Sequence, residues 1–303
     1  MKDKISILML SCDAYADTWS PFFRLIHKNW QNHPTKCYIM TEEKDFNCDF
    51  MDVKTIKTGK GKAWTERLKF ALEQIDTEYV LYSLDDYFIH DKVNEEGFLD
   101  AFFKMEDNPK WGGVFFHPIK RSTESYPQEF YEKNAYLKTK RLRKGRTNMM
   151  IILYRKVFLE KLLVEKEDAW KFESNSNLRS IVAGYDVIHY RINHSAPVFK
   201  YYNKFIDGVG ITSKKWLNRT PEIFEANGIT DVNFENLGIH TSLEAYKDPT
   251  DKRTVKKKKL TFNEFMFYYI KRPIKRTKLV TLIRAYLCWF KYYRKYDKNK
   301  KGE

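Results

Sequence analysis

Two adjacent carboxylates, Asp85 and Asp86, close an apolar run that begins at Thr77. Within that run Val80, Leu81, Tyr82 and Leu84 are apolar on both pleat faces. That is the pattern of a strand covered on both sides. In an open α/β sheet, ligands bind beyond the carboxyl ends of the strands, and the pair falls at such an end. Hard carboxylate oxygens suit Mg²⁺ or Mn²⁺, and a cation held there would hold a diphosphate. Aspartates also open turns, so for the pair taken alone both readings stand.

The elements that would position this pair precede and follow it. Ile5–Ser11 reads as a first strand, stopped by Cys12-Asp13-Ala14-Tyr15-Ala16-Asp17. A helix follows, with Trp19, Phe22, Phe23, Ile26 and Trp30 near helical spacing and Pro21 in its first turn. Residues 36–41 make a second strand and 51–56 a weaker third. Gly59-Lys60-Gly61-Lys62 lacks the P-loop spacing and reads as a surface turn leading into a helix over 63–75. Lys62 and Arg67, at the start of that helix, could meet phosphate there. A helix around 95–105, strands at 112–116 and 148–154 and a short helix at 157–163 continue the alternation. The implied fold is α/β, with a largely parallel central sheet flanked by helices.

Further downstream the chemistry is thinner. Residues 120–146 are polar and very basic, and read as a long mobile excursion over the site or as a solvated loop. Glu173 lies in an acidic run beside Trp170 and Phe172. A partly apolar neighbourhood raises a carboxylate's pKa and makes it a usable base, although such runs also form surface helix edges. Residues 195–205 read as a late strand, and Gly208-Val209-Gly210 permits a close turn. His240 is either a third metal ligand or structural, and His117 either faces an acceptor or ends a strand.

Together these stretches resemble bacterial glycosyltransferases of the GT-A type, of the kind that builds capsule and surface polysaccharides. The resemblance covers about residues 1–245. It rests on Ser11 to Trp19, on Trp64-Thr65-Glu66-Arg67-Leu68, on Leu84-Asp85-Asp86-Tyr87-Phe88 and on Trp170-Lys171-Phe172-Glu173. It implies a catalytic domain over 1–245, its nucleotide-sugar half about 1–118 and its acceptor half about 119–245. It further implies that Asp13 and Tyr15 meet the base and ribose, and that Lys62 and Arg67 lie near the nucleotide. Asp85 and Asp86 would stand for the metal-binding DxD motif, with Mn²⁺ or Mg²⁺ as cofactor, and Glu173 for the base of an inverting enzyme. The usual motif separates its carboxylates by one residue. Here they are adjacent, which leaves open which aspartate ligates directly. The implied donor is a nucleotide sugar, a UDP-sugar first, and the implied acceptor a glycan or lipid-linked glycan.

Charge divides the chain. Of 55 basic and 40 acidic residues, 18 and 4 fall in 251–303, a local net of +14 against +1 for the rest. After Pro273, Leu279, Leu282, Ile283, Tyr286, Leu287, Phe290 and Tyr293 share one helical face, with lysines and arginines around it. Residues 246–303 thus read as a basic amphipathic tail, and 252–296 as a contact with an anionic membrane surface. Packing on the body or on a second subunit is the other reading of that face. The balanced body argues against a nucleic-acid partner, although a nucleic-acid-binding protein and an inactive glycan-binding relative are the alternatives. Four scattered cysteines suit a reducing compartment, and no apolar run is long enough to span a bilayer. The expectation is a cytoplasmic protein, peripheral on the inner face of the cell membrane.

Overall fold

The computed structural model describes residues 3–116, 135–139, 146–190, 197–202, 207 and 209–240. Expectations placed on His117, on most of 120–146 and on the basic tail lie outside the described residues. Among the described residues no helix is long and apolar enough to cross a membrane.

The strands are β1 (Ile5–Leu10), β2 (Lys36–Thr41), β3 (Val53–Lys57), β4 (Tyr79–Leu84), β5 (Trp111–Phe115), β6 (Tyr136–Lys138), β7 (Ile152–Arg155) and β8 (Asp186–Tyr190). They form one sheet in the order β3-β2-β1-β4-β7-β5-β8-β6. β1 pairs in parallel with β2 and β4, and β2 with β3. β7 runs antiparallel to β4 and β5, and β6 antiparallel to β8. The mostly parallel α/β sheet flanked by helices is therefore as expected, with β6 and β7 reversed. A separate hairpin, β9 (Ile211–Thr212) with β10 (Lys215–Trp216), follows.

Helices cover both faces: α1 (Trp19–Asn29), α2 (Trp64–Glu73), α3 (Glu95–Asp107), α4 (Lys156–Leu162), α5 (Ala169–Val182) and α6 (Thr220–Ala226). β4 shows why its apolar run was two-sided. Tyr79 and Leu81 face the layer holding Trp19, Phe22, Phe98 and Phe102. Val80 and Tyr82 face the layer holding Leu68, Leu72, Phe158 and Phe172. Burying one such side chain contributes about 1.5–3 kcal/mol, so β4 is held from both sides up to the residue before the acidic pair. Local signals start the helices: the Asn94 side chain accepts from the Gly97 N–H ahead of α3, and Asp168 from Lys171 ahead of α5.

Three expectations need correction. The strand expected at 148–154 begins only at Ile152, because the segment before it is held by side chains. Asn177 Oδ1 accepts the Thr147 N–H at 2.9 Å and Asn148 Oδ1 accepts from Met150. The described part of the expected late strand, 197–202, makes only an isolated antiparallel bridge, Ile89 with Tyr201. Arg146, grouped with a solvated basic run, is 1% exposed. Its guanidinium donates to Ser180 Oγ, the Thr139 carbonyl and the Tyr185 carbonyl at 2.8–3.0 Å. It therefore clamps α5 to the chain ahead of β8. Arg146→Met would leave those buried acceptors without their donor, and is expected to cost about 2–4 kcal/mol in urea unfolding.

Candidate functional site

β1 leads to β2 on one side, while β4 lies on its other side, so the carboxyl ends of β1 and β4 flank a point where strand order reverses. A crevice opens at such points in doubly wound sheets. Asp85 and Asp86 follow β4 there, 8% and 9% exposed. Ser11-Cys12-Asp13 follow β1 and enter a 3-10 turn, Asp13–Thr18.

The Asp85 carboxylate is held from the β1 side. Ser11 Oγ donates to Asp85 Oδ2 at 2.5 Å, and Trp19 Nε1 donates to Ser11 Oγ at 2.7 Å. Asp86 is approached from the other side by Gly210. A Cβ built there would lie 3.3 Å from the Asp86 carbonyl oxygen and 3.6 Å from Oδ2, and the Gly210 φ of +111° suits glycine. Gly210→Ala is therefore expected to combine backbone strain of about 1–3 kcal/mol with pressure on Asp86. The expected result is a lower melting temperature, read by scanning calorimetry.

The charge of the pair acts on nearby side chains. Burial pushes the Tyr15 phenol up to about 12, with Cys12, Asp85 and Asp86 adding to it. Burial likewise raises the Cys12 thiol, with Asp85 next in effect. The Tyr87 phenol is held well above its ordinary range by burial, then by Asp86, Tyr201, Glu173 and Asp85. Its hydroxyl donates to Met150 Sδ at 3.2 Å, and its ring packs on Tyr201 at 5.2 Å. Glu173 and the acidic pair thus both act on the Tyr87 phenol. Glu173 sits half-buried on the edge of α5.

Some placements differ in kind from what residue type alone suggested. The aromatic pair beside Glu173 splits: Phe172 is buried, whereas Trp170 is 66% exposed. Two residues apart on a helix point about 200° apart, so of the two aromatics expected to make Glu173's neighbourhood partly apolar, only Phe172 faces the core. Asp13 accepts the backbone N–H groups of Glu42, Glu43 and Lys44. Burial works against its charge, yet those donors prevail and hold the carboxyl below its ordinary range. Asp13 therefore braces the loop after β2. Arg67 is buried, donating from Nε to Thr58 Oγ1 at 2.8 Å and from Nη2 to the Ser11 carbonyl at 2.7 Å. It ties the end of β1 to the residue after β3. Lys62 lies over the Phe70 ring, 4.7 Å from its centroid, among Glu66, Lys69, Glu73 and Glu165 on the flank of α2. One ring nitrogen of His240, Nε2, lies 2.9 Å from the Thr212 carbonyl, where it braces the β9–β10 hairpin.

Two hard carboxylates in one turn, with Gly210 leaving Asp86 a side no Cβ crowds, fit a divalent cation whose shell is completed by phosphate and water. Among the described residues no group of three His, Cys, Asp or Glu gathers in a form that could hold a metal ion. The pair would therefore be the protein's share of such a shell. Ser11, Trp19 and Gly210 had no assigned part in holding the acidic pair. A polar side chain at the end of a buried strand, facing an indole N–H one turn on, was the available signal.

No family model matches the chain, and no curated protein matches it. Among solved structures it is similar to S. aureus TarS 1–349, with 14% identity, a TM-score of 0.45 and coverage of 66% of this chain and 60% of that one. It is also similar to that protein in complex with UDP-GlcNAc (13% identity, TM-score 0.41, 77% and 67% covered). A third is the mannosyltransferase PcManGT from Pyrobaculum calidifontis in complex with GDP-Man and Mn²⁺ (14%, 0.42, 64% and 56%). The chain thus spans about 60% of the TarS 1–349 length, and the likeness is distant.

Proposed function

We propose that the chain is a metal-assisted glycosyltransferase that moves a sugar from a nucleotide-sugar donor to a hydroxyl of a glycan or lipid-linked acceptor. The observation that carries this reading is the acidic pair itself. Asp85 and Asp86 stand at the switch point of the sheet, one held by Ser11 and the other against Gly210, and Glu173 acts on the same Tyr87 phenol that they do.

The roles follow from that geometry. Asp86 and Asp85 would hold Mn²⁺ or Mg²⁺, and His240, whose Nε2 lies against the Thr212 carbonyl, is left to brace the hairpin. The cation, when bound, supplies neutralisation of the charge that develops on the leaving diphosphate. Tyr15 lines the nucleotide side. Asp13 and Arg67 act from behind it, by bracing the loop after β2 and the end of β1, and Lys62 offers a positive charge along α2. Glu173 takes the proton of the acceptor hydroxyl as its oxygen bonds the anomeric carbon. The bond from that carbon to the diphosphate breaks, and the nucleoside diphosphate leaves with the electron pair. Attack opposite the leaving group inverts the anomeric centre.

A UDP-sugar donor, a surface-polysaccharide acceptor and an inner-leaflet location through residues 252–296 complete the proposal. The deciding test is a thermal-shift screen of nucleoside diphosphates and nucleotide sugars, each with and without Mn²⁺. Stabilisation by one nucleotide class is expected. No stabilisation by any of them would sink the reading.

A further inference from the structure

We infer that Ser11 and Trp19 are positioning residues that preset the Asp85 carboxylate for the cation and diphosphate. This inference rests on the function proposed above and adds to it two residues outside the acidic pair.

The direction of each hydrogen bond is forced. An indole Nε1–H only donates, so at 2.7 Å it must donate to Ser11 Oγ. The serine hydroxyl has one hydrogen. Its possible acceptors are Asp85 Oδ2 at 2.5 Å and the Cys12 carbonyl at 3.4 Å. The nearer, ionisable acceptor takes it, since hydrogen bonds to carboxylates are shorter and about twice as strong as neutral ones. The relay therefore runs one way, from Trp19 through Ser11 to Asp85.

Each member is also fixed in place. Trp19 is buried at the start of α1, and its ring packs edge-on against Phe46 at 6.0 Å. The Ser11 backbone donates to the Met40 carbonyl and accepts from Arg67 Nη2 at 2.7 Å. The hydroxyl is thus anchored through β1, β2 and α2, on the parallel side of the sheet, while Asp85 arrives from β4. An unheld aspartate in a turn after a strand would sample its χ1 wells, and a bound cation would have to select one. Ser11 makes that selection in advance. Outer partners that orient a metal-binding carboxylate are worth about 10–100-fold in metal affinity.

The experiment measures Mn²⁺ affinity of the intact chain by electron paramagnetic resonance, with urea midpoints as the folding control. Ser11→Ala is expected to weaken Mn²⁺ binding 10–100-fold and, because it leaves the buried Trp19 N–H without its acceptor, to lower the urea midpoint while still folding. Trp19→Phe keeps the ring bulk and removes the N–H, and is expected to weaken binding several-fold. Because Trp19 acts through Ser11, the Trp19→Phe loss should vanish in the Ser11→Ala background. Should Ser11→Ala not fold, Trp19→Phe decides. Wild-type affinity in both variants would overturn the relay alone. A wild type that binds no Mn²⁺ would overturn the metal reading and the relay with it.

Discussion

Replacing Asp86 by alanine is expected to abolish the rise in melting temperature that the proposed function predicts for UDP with Mn²⁺. At ligand one hundred times its dissociation constant, linkage supplies about 2.7 kcal/mol of stabilisation. For a body of this size, each kcal/mol moves the melting temperature by about 2–4 °C, so a shift of roughly 5–10 °C is at stake. The substitution removes one of the two carboxylates to which the proposed function gives the cation. It removes nothing from either apolar layer, because the buried run of β4 ends at Ser83. The readout is the ligand-induced shift, which subtracts any change in the ligand-free melting temperature at this buried position. Asp85→Ala is a different case, since it also strands the Ser11 hydroxyl in a buried site and should lower the ligand-free melting temperature. An undiminished UDP and Mn²⁺ shift in the Asp86 variant would mean that the pair merely opens the turn after β4.

That contrast shows which parts of the molecule were legible in the sequence. The strand before the pair was legible because burial on both faces leaves an uninterrupted apolar run, Tyr79 to Tyr82. α1 was legible because Trp19, Phe22, Phe23 and Ile26 repeat at helical spacing and all face one layer. What a charged residue does depends on partners distant in sequence, and no local pattern records them. Arg67 serves Ser11, 56 residues away, and Arg146 serves Ser180, 34 away. In sequence both belong to basic, polar surroundings. Glu167 is a parallel case within the acidic run. It is buried and receives Arg179 in a bidentate pair with Asn175 beside it, so it binds α5 together. The split between Trp170 and Phe172 was recoverable in principle. Asp168 caps α5, and once that start is placed, helical rotation assigns Phe172 to the core and Trp170 to solvent.

Glu173→Gln is expected to lower the rate of donor hydrolysis by about 10²–10⁴-fold, the usual contribution of a positioned base, while leaving the UDP and Mn²⁺ thermal shift intact. The geometry separates the two effects. Glu173 lies on α5, not on the β1 or β4 ends that the proposed function gives to the nucleotide, so donor binding is not expected to pass through it. Its backbone is locked, the carbonyl accepting from Asn177 Nδ2 at 2.7 Å while the same asparagine holds the Thr147 N–H. Glutamine has nearly the same shape and keeps that arrangement, so the folded state should be preserved to within about 0.5 kcal/mol. It cannot accept the hydroxyl proton. Water stands in for the acceptor in the hydrolysis assay, so the measurement needs no knowledge of the natural acceptor. The decisive pattern is a lost rate with retained binding. Loss of both would place Glu173 in donor binding instead. Equal hydrolysis in both proteins would assign Glu173 to the edge of α5 and leave deprotonation to another group facing Tyr87.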